Sequence, residues 1–527
     1  MESLSDTEWD IVISGTGLAQ SLLALALSRS GKKVLHVDKN PYYGGPEAAF
    51  SLQEAEEWVD RLKKEPGQEP FEEVSIYSCP TSPDAEKKLS FSRAYTLSLS
   101  PYLIYSRSKL LPSLVSSKVY RQLEFQAVGS WWIYSGPTAA EDTPQSNADV
   151  SARLHRIPSS REDIFADDSI SVKAKRMLIK FLRNISHNPQ DGGDDSSASE
   201  EDLDLPFAEY LTSRFQVPSE LHDPLLSLSL SQSSPQQTSA RFAVPRIKRH
   251  LGSIGVFGPG FGSLLTKWGG GSEIAQVGCR ALAVGGGVYV LNRDIQSVEV
   301  PDDGSQETFL RLKLSDGESI RSKFVVGSRW DLPAEAERPE LVNAKVARCI
   351  TIVSSSLKSL FPATAEGGPI PAGTVVVFPG KELSGGQGAE PPVYLLVHSS
   401  DTGECPDGQC VVYGSVSVPG DEGQSLLDAA VSKLLQTFAG SDDEPVVLWT
   451  LRYTQLGLSC EKDSPGASIW KSARSDRIVY FPPPSLDIAF DDRMIDAVKA
   501  AWKAVMGEEA RDEEFMTFED RGPSLDE

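Results

Sequence analysis

Apolar residues recur in two rhythms along this chain, and the change of rhythm divides it. At the start, WDIVISG is a short, almost continuous apolar run closed by a glycine, which predicts a strand buried on both faces. GLAQSLLALALSRSG has the length and apolar content of a helix and is expected to end at Gly31, and KVLHVD predicts a second strand. The three make a βαβ opening with Gly15 and Gly17 in its first turn. Beyond Pro101, KVYRQLEFQAV and SWWIYSG alternate and are expected as strands.

From about Ile157 the period lengthens. VKAKRMLIKFLRNIS places Met177, Leu178, Phe181, Leu182 and Ile185 on one face of a helix, and Phe207, Leu211 and Phe215 repeat at four-residue spacing in PFAEYLTSRF. ELHDPLLSLSLSQ continues the helical pattern. Between them, residues 187–206 (HNPQDGGDDSSASEEDLDLP) are acidic and poor in apolar side chains, so a disordered loop is expected. Glycine returns at Gly255: GVFGPGFGSLLTKWGGGSEIAQVGCRALAVGGGVYVLNRDI predicts a glycine-rich loop, a short helix and a strand-turn-strand. TFLRLKL, SIRSKFVVGS, GTVVVFPG, PVYLLVHSS and QCVVYGSVSV follow as strands, with a Gly/Pro-rich surface insertion expected near 362–391. DDRMIDAVKAAWKAVMG is a final amphipathic helix with a polar tail, and no internal repeat is visible. The pattern predicts an α/β chain in which residues 1–156 and 255–527 form one discontinuous sheet unit and 157–254 an inserted, all-helical one.

Charge narrows the partners. With 51 Lys plus Arg against 74 Asp plus Glu, the formal net charge is −23, so the summed field repels phosphate backbones and nucleic acid is not expected as a partner. No apolar run approaches the ~20 residues needed to span a bilayer. The acidic start MESLSDTEWD is no secretory n-region, and GPSLDE is no prenylation box. Cys79, Cys279, Cys349, Cys405, Cys410 and Cys460 are few for a chain of 527 residues, as in a reducing cytoplasm. Cys405 and Cys410 are better explained by a hairpin in DTGECPDGQCVVYG than by zinc, since no second Cys or His pair is near. No metal is expected.

The chemistry-bearing motif is incomplete. A dinucleotide fingerprint reads G-x-G-x-x-G, because the first two glycines let backbone N–H groups approach a pyrophosphate and the third lets helix pack on strand. Gly15 and Gly17 are present, but Gln20 stands third. Asp38 suits a ribose contact, and KNPYYGG supplies the Gly44-Gly45 doublet of glutathione-reductase-type flavin enzymes. Pro46 follows where the amine-oxidase branch carries Arg. There is no G-x-S-x-G or H-E-x-x-H, the six histidines fall singly, and neither GGPEAAF nor VGGGVYV has the Lys-Ser/Thr of a phosphate loop. The residues alone leave open a flavin-dependent amine oxidase or desaturase, or a scaffold that has lost its cofactor.

DIVISGTGL, KKVLHVDKNPYYGG and GGSEIAQVGCRALAVGGGVYVLN, more than two hundred residues apart, together with the interposed helices, resemble the Rab GDP-dissociation inhibitor and escort protein superfamily. The resemblance implies a flavoprotein-like sheet domain that binds no cofactor, with the helical domain inserted in it. It implies no catalysis, and binding of GDP-bound Rab GTPases through a platform on the sheet domain. The platform residues fall on Lys39, Tyr43, Glu273, Gln276, Arg280, Val288 and Val290. On a helix, positions 273, 276 and 280 share one face, so a carboxylate, an amide and a guanidinium would address a partner together. WGGGSEI, the tail EEFMTFEDR and the length resemble the escort branch of fungal type. That branch presents newly made Rab to the Rab geranylgeranyl transferase heterodimer, shelters the geranylgeranyl lipid and delivers the product transiently to membranes. The resemblance places the lipid between helices of the inserted domain, with Met177, Phe181, Leu182, Leu211 and Phe215 as candidate lining. The basic stretch Arg246, Lys248, Arg249, His250 lies nearby and is expected as a solvated charged face.

Overall fold

Ile11, Val12 and Ile13 have no exposure, because their strand, Glu8–Ser14, lies in the middle of a sheet covered on both faces. The computed structural model describes residues 4–78, 88–136, 153–158, 171–186, 200–302, 308–333, 344–383, 390–440, 443–459 and 468–519. The first sheet runs Val288–Leu291, Val34–Asp38, Glu8–Ser14, Ser319–Gly327, Leu310–Leu314 and Ile295–Glu299, and Ser475–Tyr480 joins Ser319–Gly327 in parallel. Its first four strands are parallel neighbours, as a βαβ crossover requires, and the remaining two form an antiparallel meander. Ile11 and Ile13 pack under the first helix, Leu18–Leu27, together with residues of the helices Gly271–Val284 and Arg493–Met506. Val12, Leu35 and Val37 pack on the opposite face against the meander.

The second sheet is larger and mixed. Its order is Phe71–Ser78, Val447–Gly457, Ala344–Val353, Cys410–Val416, Val393–Ser399, Gly373–Phe378, Phe125–Ser135, Ser263–Thr266, Ile104–Tyr105. Alternate residues face opposite ways: Cys349, Leu395, Val397 and Val412 meet the helix Gly420–Gln436, while Ile350, Val375, Leu396 and Tyr413 share a core with the helices Val172–Ser186, Phe207–Phe215, His222–Ser229 and Ala240–Ser253. Among the described residues, no helix is long and apolar enough to cross a membrane.

Several expectations change. The first helix stops at Leu27, because the Ser28 and Ser30 hydroxyls donate to the Leu25 and Leu27 carbonyls and Gly31 turns the chain at φ +71°. KVYRQ is a 3₁₀ turn, Val119–Gln122, and the two strands expected after Pro101 are one, Phe125–Ser135. Gly129 does not break that strand. It makes room for Pro371, which a Cβ there would approach to 2.4 Å. The helix after the glycine run is fourteen residues long rather than short. The insertion at 362–391 is not all surface, since Gly373–Phe378 is a fully buried strand flanked on both sides.

Of the acidic stretch 187–206, residues 187–199 lie outside the described residues, and Glu200–Leu203 is a short helix anchored by an Arg214–Asp202 ion pair. The tail is less polar in effect than in composition: Met516 is fully buried, Phe515 packs on Trp502 and Arg29 covers Phe518. The basic stretch 246–250 is not a solvated face. Arg246 pairs with buried Asp487 at 2.6 Å, Arg249 pairs with Asp492 at 3.4 Å, and His250 is buried. Cys405 lies in the connection between two antiparallel strands and Cys410 opens the second of them, both as free, buried thiols.

Candidate functional site

The first turn is crowded by carboxylates. Gly15 has φ +86°, and a Cβ there would meet the Asp331 carboxyl carbon at 2.5 Å. Gln20 folds across Gly17 and donates from Nε2 to Asp331 Oδ2 at 2.8 Å, so the third fingerprint position is used to hold an acid over the turn. At the N-terminus of the first helix, where a phosphate would sit, Glu47 Oε2 accepts the Leu18 N–H at 3.0 Å. Burial pushes the Glu47 carboxyl up to about 7. Burial and the neighbouring Asp331 push Asp38 up to about 7 as well; its Oδ1 accepts the Asn40 N–H, and its Oδ2 has no hydrogen-bond partner among the described residues. Gly44, at φ +101°, donates its N–H to Thr16 Oγ1, so the glycine doublet ties the second loop to the first.

The flavoprotein-like fold raises the question of a flavin dinucleotide. An unpartnered Asp38 oxygen suits a ribose, but the pyrophosphate position does not suit phosphate: Glu47 already takes the Leu18 N–H, and Asp331 covers Gly15. Two phosphates brought there would face three carboxyl groups. A solvent-open cleft lies beside the turn, lined by Gln20, Pro46, Glu47, Trp330 and Arg493, but Arg493 is held by Asp491 at 2.6 Å. These residues do not fit the cofactor.

Next to this cleft the helix Gly271–Val284 crosses the first helix at unusually close range. Gly278 allows it, since a Cβ there would lie 2.6 Å from the Ser21 carbonyl oxygen. The inner face, including Ile274, Val277 and Leu282, is buried; outside, Glu273 and Gln276 are half-buried and Arg280 is exposed. Seven residues separate Glu273 from Arg280, about 10 Å along the axis. Arg280 instead reaches Gln122 Oε1 at 3.4 Å. Half-burial raises the Glu273 carboxyl above its ordinary range, and the Arg280 charge opposes the shift.

Tyr43, in the loop after the second strand, is half-buried beside this helix and feels the Arg280 charge. Its ring lies 5.4 Å from that of Tyr289, a residue the sequence pattern did not single out. Tyr289 donates to Cys279 Sγ at 3.1 Å and stands edge-on to His36 at 4.9 Å. Tyr43, Glu273, Gln276 and Arg280 are thus gathered at one surface, with Tyr289 beneath Tyr43.

Val288 and Val290 are close in sequence but face the other way. They flank Tyr289 on an edge strand, so the pleat sends them to the face of Val12, Leu35 and Val37, where both remain half-buried. Period-two alternation in VYVL would have separated Tyr289 from them. Lys39 is also turned away: its Nζ donates to the Trp330 carbonyl at 2.9 Å and to that of Gln68. In the helical unit, Phe181, Leu211 and Phe215 are buried, with the Phe181 and Phe215 rings 5.3 Å apart, and Met177 and Leu182 pack on the same core from partly buried positions.

The two motif segments that build this surface lie within one family match, to the GDP dissociation inhibitor family, over residues 5–435. The chain belongs to the GDP dissociation inhibitor family. Among relatives, it is 28% identical over 448 residues to the "Rab proteins geranylgeranyltransferase component A" of Candida albicans, covering 83% of this chain and 64% of that protein. It is 25% identical over 573 residues to the protein of the same name from Saccharomyces cerevisiae, covering 97% of this chain and 86% of that one. A Rab GDI from Plasmodium falciparum shares the fold, with a TM-score of 0.63 at 19% identity, over 95% of this chain and 98% of that one. In this family member the helix Gly271–Val284 and the cleft are contiguous, because Gly278 and Glu47 both pack on the first helix.

Proposed function

We propose that this protein is a Rab escort protein that catalyses nothing itself. It binds GDP-bound Rab GTPases, presents them to the Rab geranylgeranyl transferase heterodimer, shelters the added geranylgeranyl lipid and delivers the product to membranes, working in the cytoplasm. The observation that carries this reading is the match to two chains named as component A of the transferase, one over 97% of this chain. The surface of Tyr43, Glu273, Gln276 and Arg280 supports it physically, since an exposed guanidinium and a half-buried carboxylate are the charged anchors a protein partner uses. Lys39, Val288 and Val290 stay in the proposed Rab contact as framework of the loop and edge strand that carry it.

The division into a sheet domain, 1–156 with 255–527, and a helical domain, 157–254, belongs to the same proposal. Each CH₂ buried from a lipid chain contributes roughly 0.8 kcal/mol, so a geranylgeranyl group needs an apolar site of its own size. Met177, Phe181, Leu182, Leu211 and Phe215 already pack on one another or on the sheet core, so lipid entry between their helices requires those helices to part.

The deciding experiment is prenylation of an unmodified Rab by purified transferase, with and without this protein. Stimulated transfer is expected. Absence of stimulation, with prenylated Rab still extracted from membranes, favours the second reading, a GDP-dissociation inhibitor that recycles Rab, which the family's own description supports.

A further inference from the structure

A small cavity, partly open to solvent, lies between Phe125–Ser135, Arg153–Arg156, the end of Ala240–Ser253 and the loops around Gly260 and Thr364. Its polar lining is built and left unused. His250 is 3% exposed, and its Nε2 has no hydrogen-bond partner; Ser130, 4% exposed, has an unpartnered Oγ; the buried Thr364 Oγ1 is likewise unpartnered. Buried polar atoms without partners are costly, and three converging on one cavity point to a missing ligand.

All of these groups donate. Tyr105 Oη lies 3.3 Å from His250 Nδ1 and has no other acceptor among the described residues; with Tyr105 as donor to Nδ1, the imidazole proton is assigned to Nε2. Burial keeps that imidazole neutral, holding it down to about 4. Arg156 adds a guanidinium that makes one long contact to the Thr364 carbonyl, at 3.5 Å, and has no carboxylate partner among the described residues. Among the described residues lining the cavity there is no acid, in a chain of net charge −23. Gly260 keeps the approach to Thr364 open, for a Cβ there would lie 2.5 Å from Thr364 Oγ1. Trp131 and Phe261 supply apolar wall.

We propose that this cavity binds a small oxyanion, a carboxylate or a phosphate, held by Arg156, His250, Ser130 and Thr364 with any short apolar part against Trp131 and Phe261. The test is a nuclear magnetic resonance titration of the full chain, labelled on histidine, with sodium formate in one arm and inorganic phosphate in the other. The expected result is a saturable shift of the His250 ring resonance with one probe, which also tells carboxylate from phosphate, while His222, buried elsewhere, does not move. Arg156→Ala removes a half-exposed strand side chain and should weaken binding by at least about tenfold. Thr364→Val should weaken it less, with the fold unchanged. No shift with either probe, or equal affinity in wild type and Arg156→Ala, overturns the proposal. Neither outcome depends on Rab binding.

Discussion

Glu47 and Asp38 are buried carboxyl groups with no ion-pair partner within salt-bridge distance among the described residues, and each is pushed up to about 7. A folded-state value above the unfolded one means that the folded chain holds protons the unfolded chain has lost, so the stability tied to these protons is complete below about pH 4 and lost as pH rises to about 7. Glu47→Gln keeps an acceptor for the Leu18 N–H and removes the titration. The variant should therefore gain stability relative to wild type as pH rises, by up to about 3 kcal/mol from this group. Urea unfolding near pH 5 and pH 8 measures it, and an equal difference at both would show that the carboxyl titrates normally. At the platform, Arg280→Ala and Glu273→Ala should each weaken capture of GDP-bound Rab by roughly 5–30-fold, the range of a buried interface anchor, with circular dichroism unchanged. Binding at wild-type strength in both would remove these residues from the contact.

At the scale of elements, the approach of two helices positions the proposed Rab-binding face. Gly278→Val would drive a methyl group into the Ser21 carbonyl, so a loss of about 1–3 kcal/mol and a lowered melting temperature are expected, with Rab capture falling alongside. Normal melting together with normal capture would mean that the helices are not in contact there. Tyr289 separates ring from hydroxyl: Tyr289→Phe loses the bond to Cys279 but keeps the ring against Tyr43, and should bind Rab nearly as wild type. Tyr289→Ala frees Tyr43 and should bind several-fold more weakly; surface plasmon resonance with both variants distinguishes them. Most elements were legible from periodicity, as the strands at Glu8–Ser14 and Val34–Asp38 and the helix Val172–Ser186 illustrate. The misses share a cause. KVYRQ and the tail around Met516 have local patterns compatible with several states, and packing against distant segments selected among them.

For the whole molecule, the carboxyl groups at the first turn predict that added FAD forms no one-to-one complex with the refolded or native chain. Equilibrium dialysis checks this, and stoichiometric, tightly held flavin would contradict the electrostatics of Glu47, Asp331 and Asp38. The placement of Tyr43, Glu273, Gln276 and Arg280 together was foreseeable only through the resemblance, because the two motifs meet across more than two hundred residues. The opposite orientation of Val288 and Val290, the turning-in of Lys39 and the burial of His250 were not foreseen. What the amino-acid order determined by itself is the βαβ opening, the helical interruption and the shared helical face of 273, 276 and 280, since each follows from spacing within a few turns or one strand. Only the tertiary structure decided that Asp331 lies on Gly15 and Glu47 on the first helix, and that Gly278 meets Ser21. Those contacts join distant segments, and their energies come from burial, charge and close approach that no local pattern encodes.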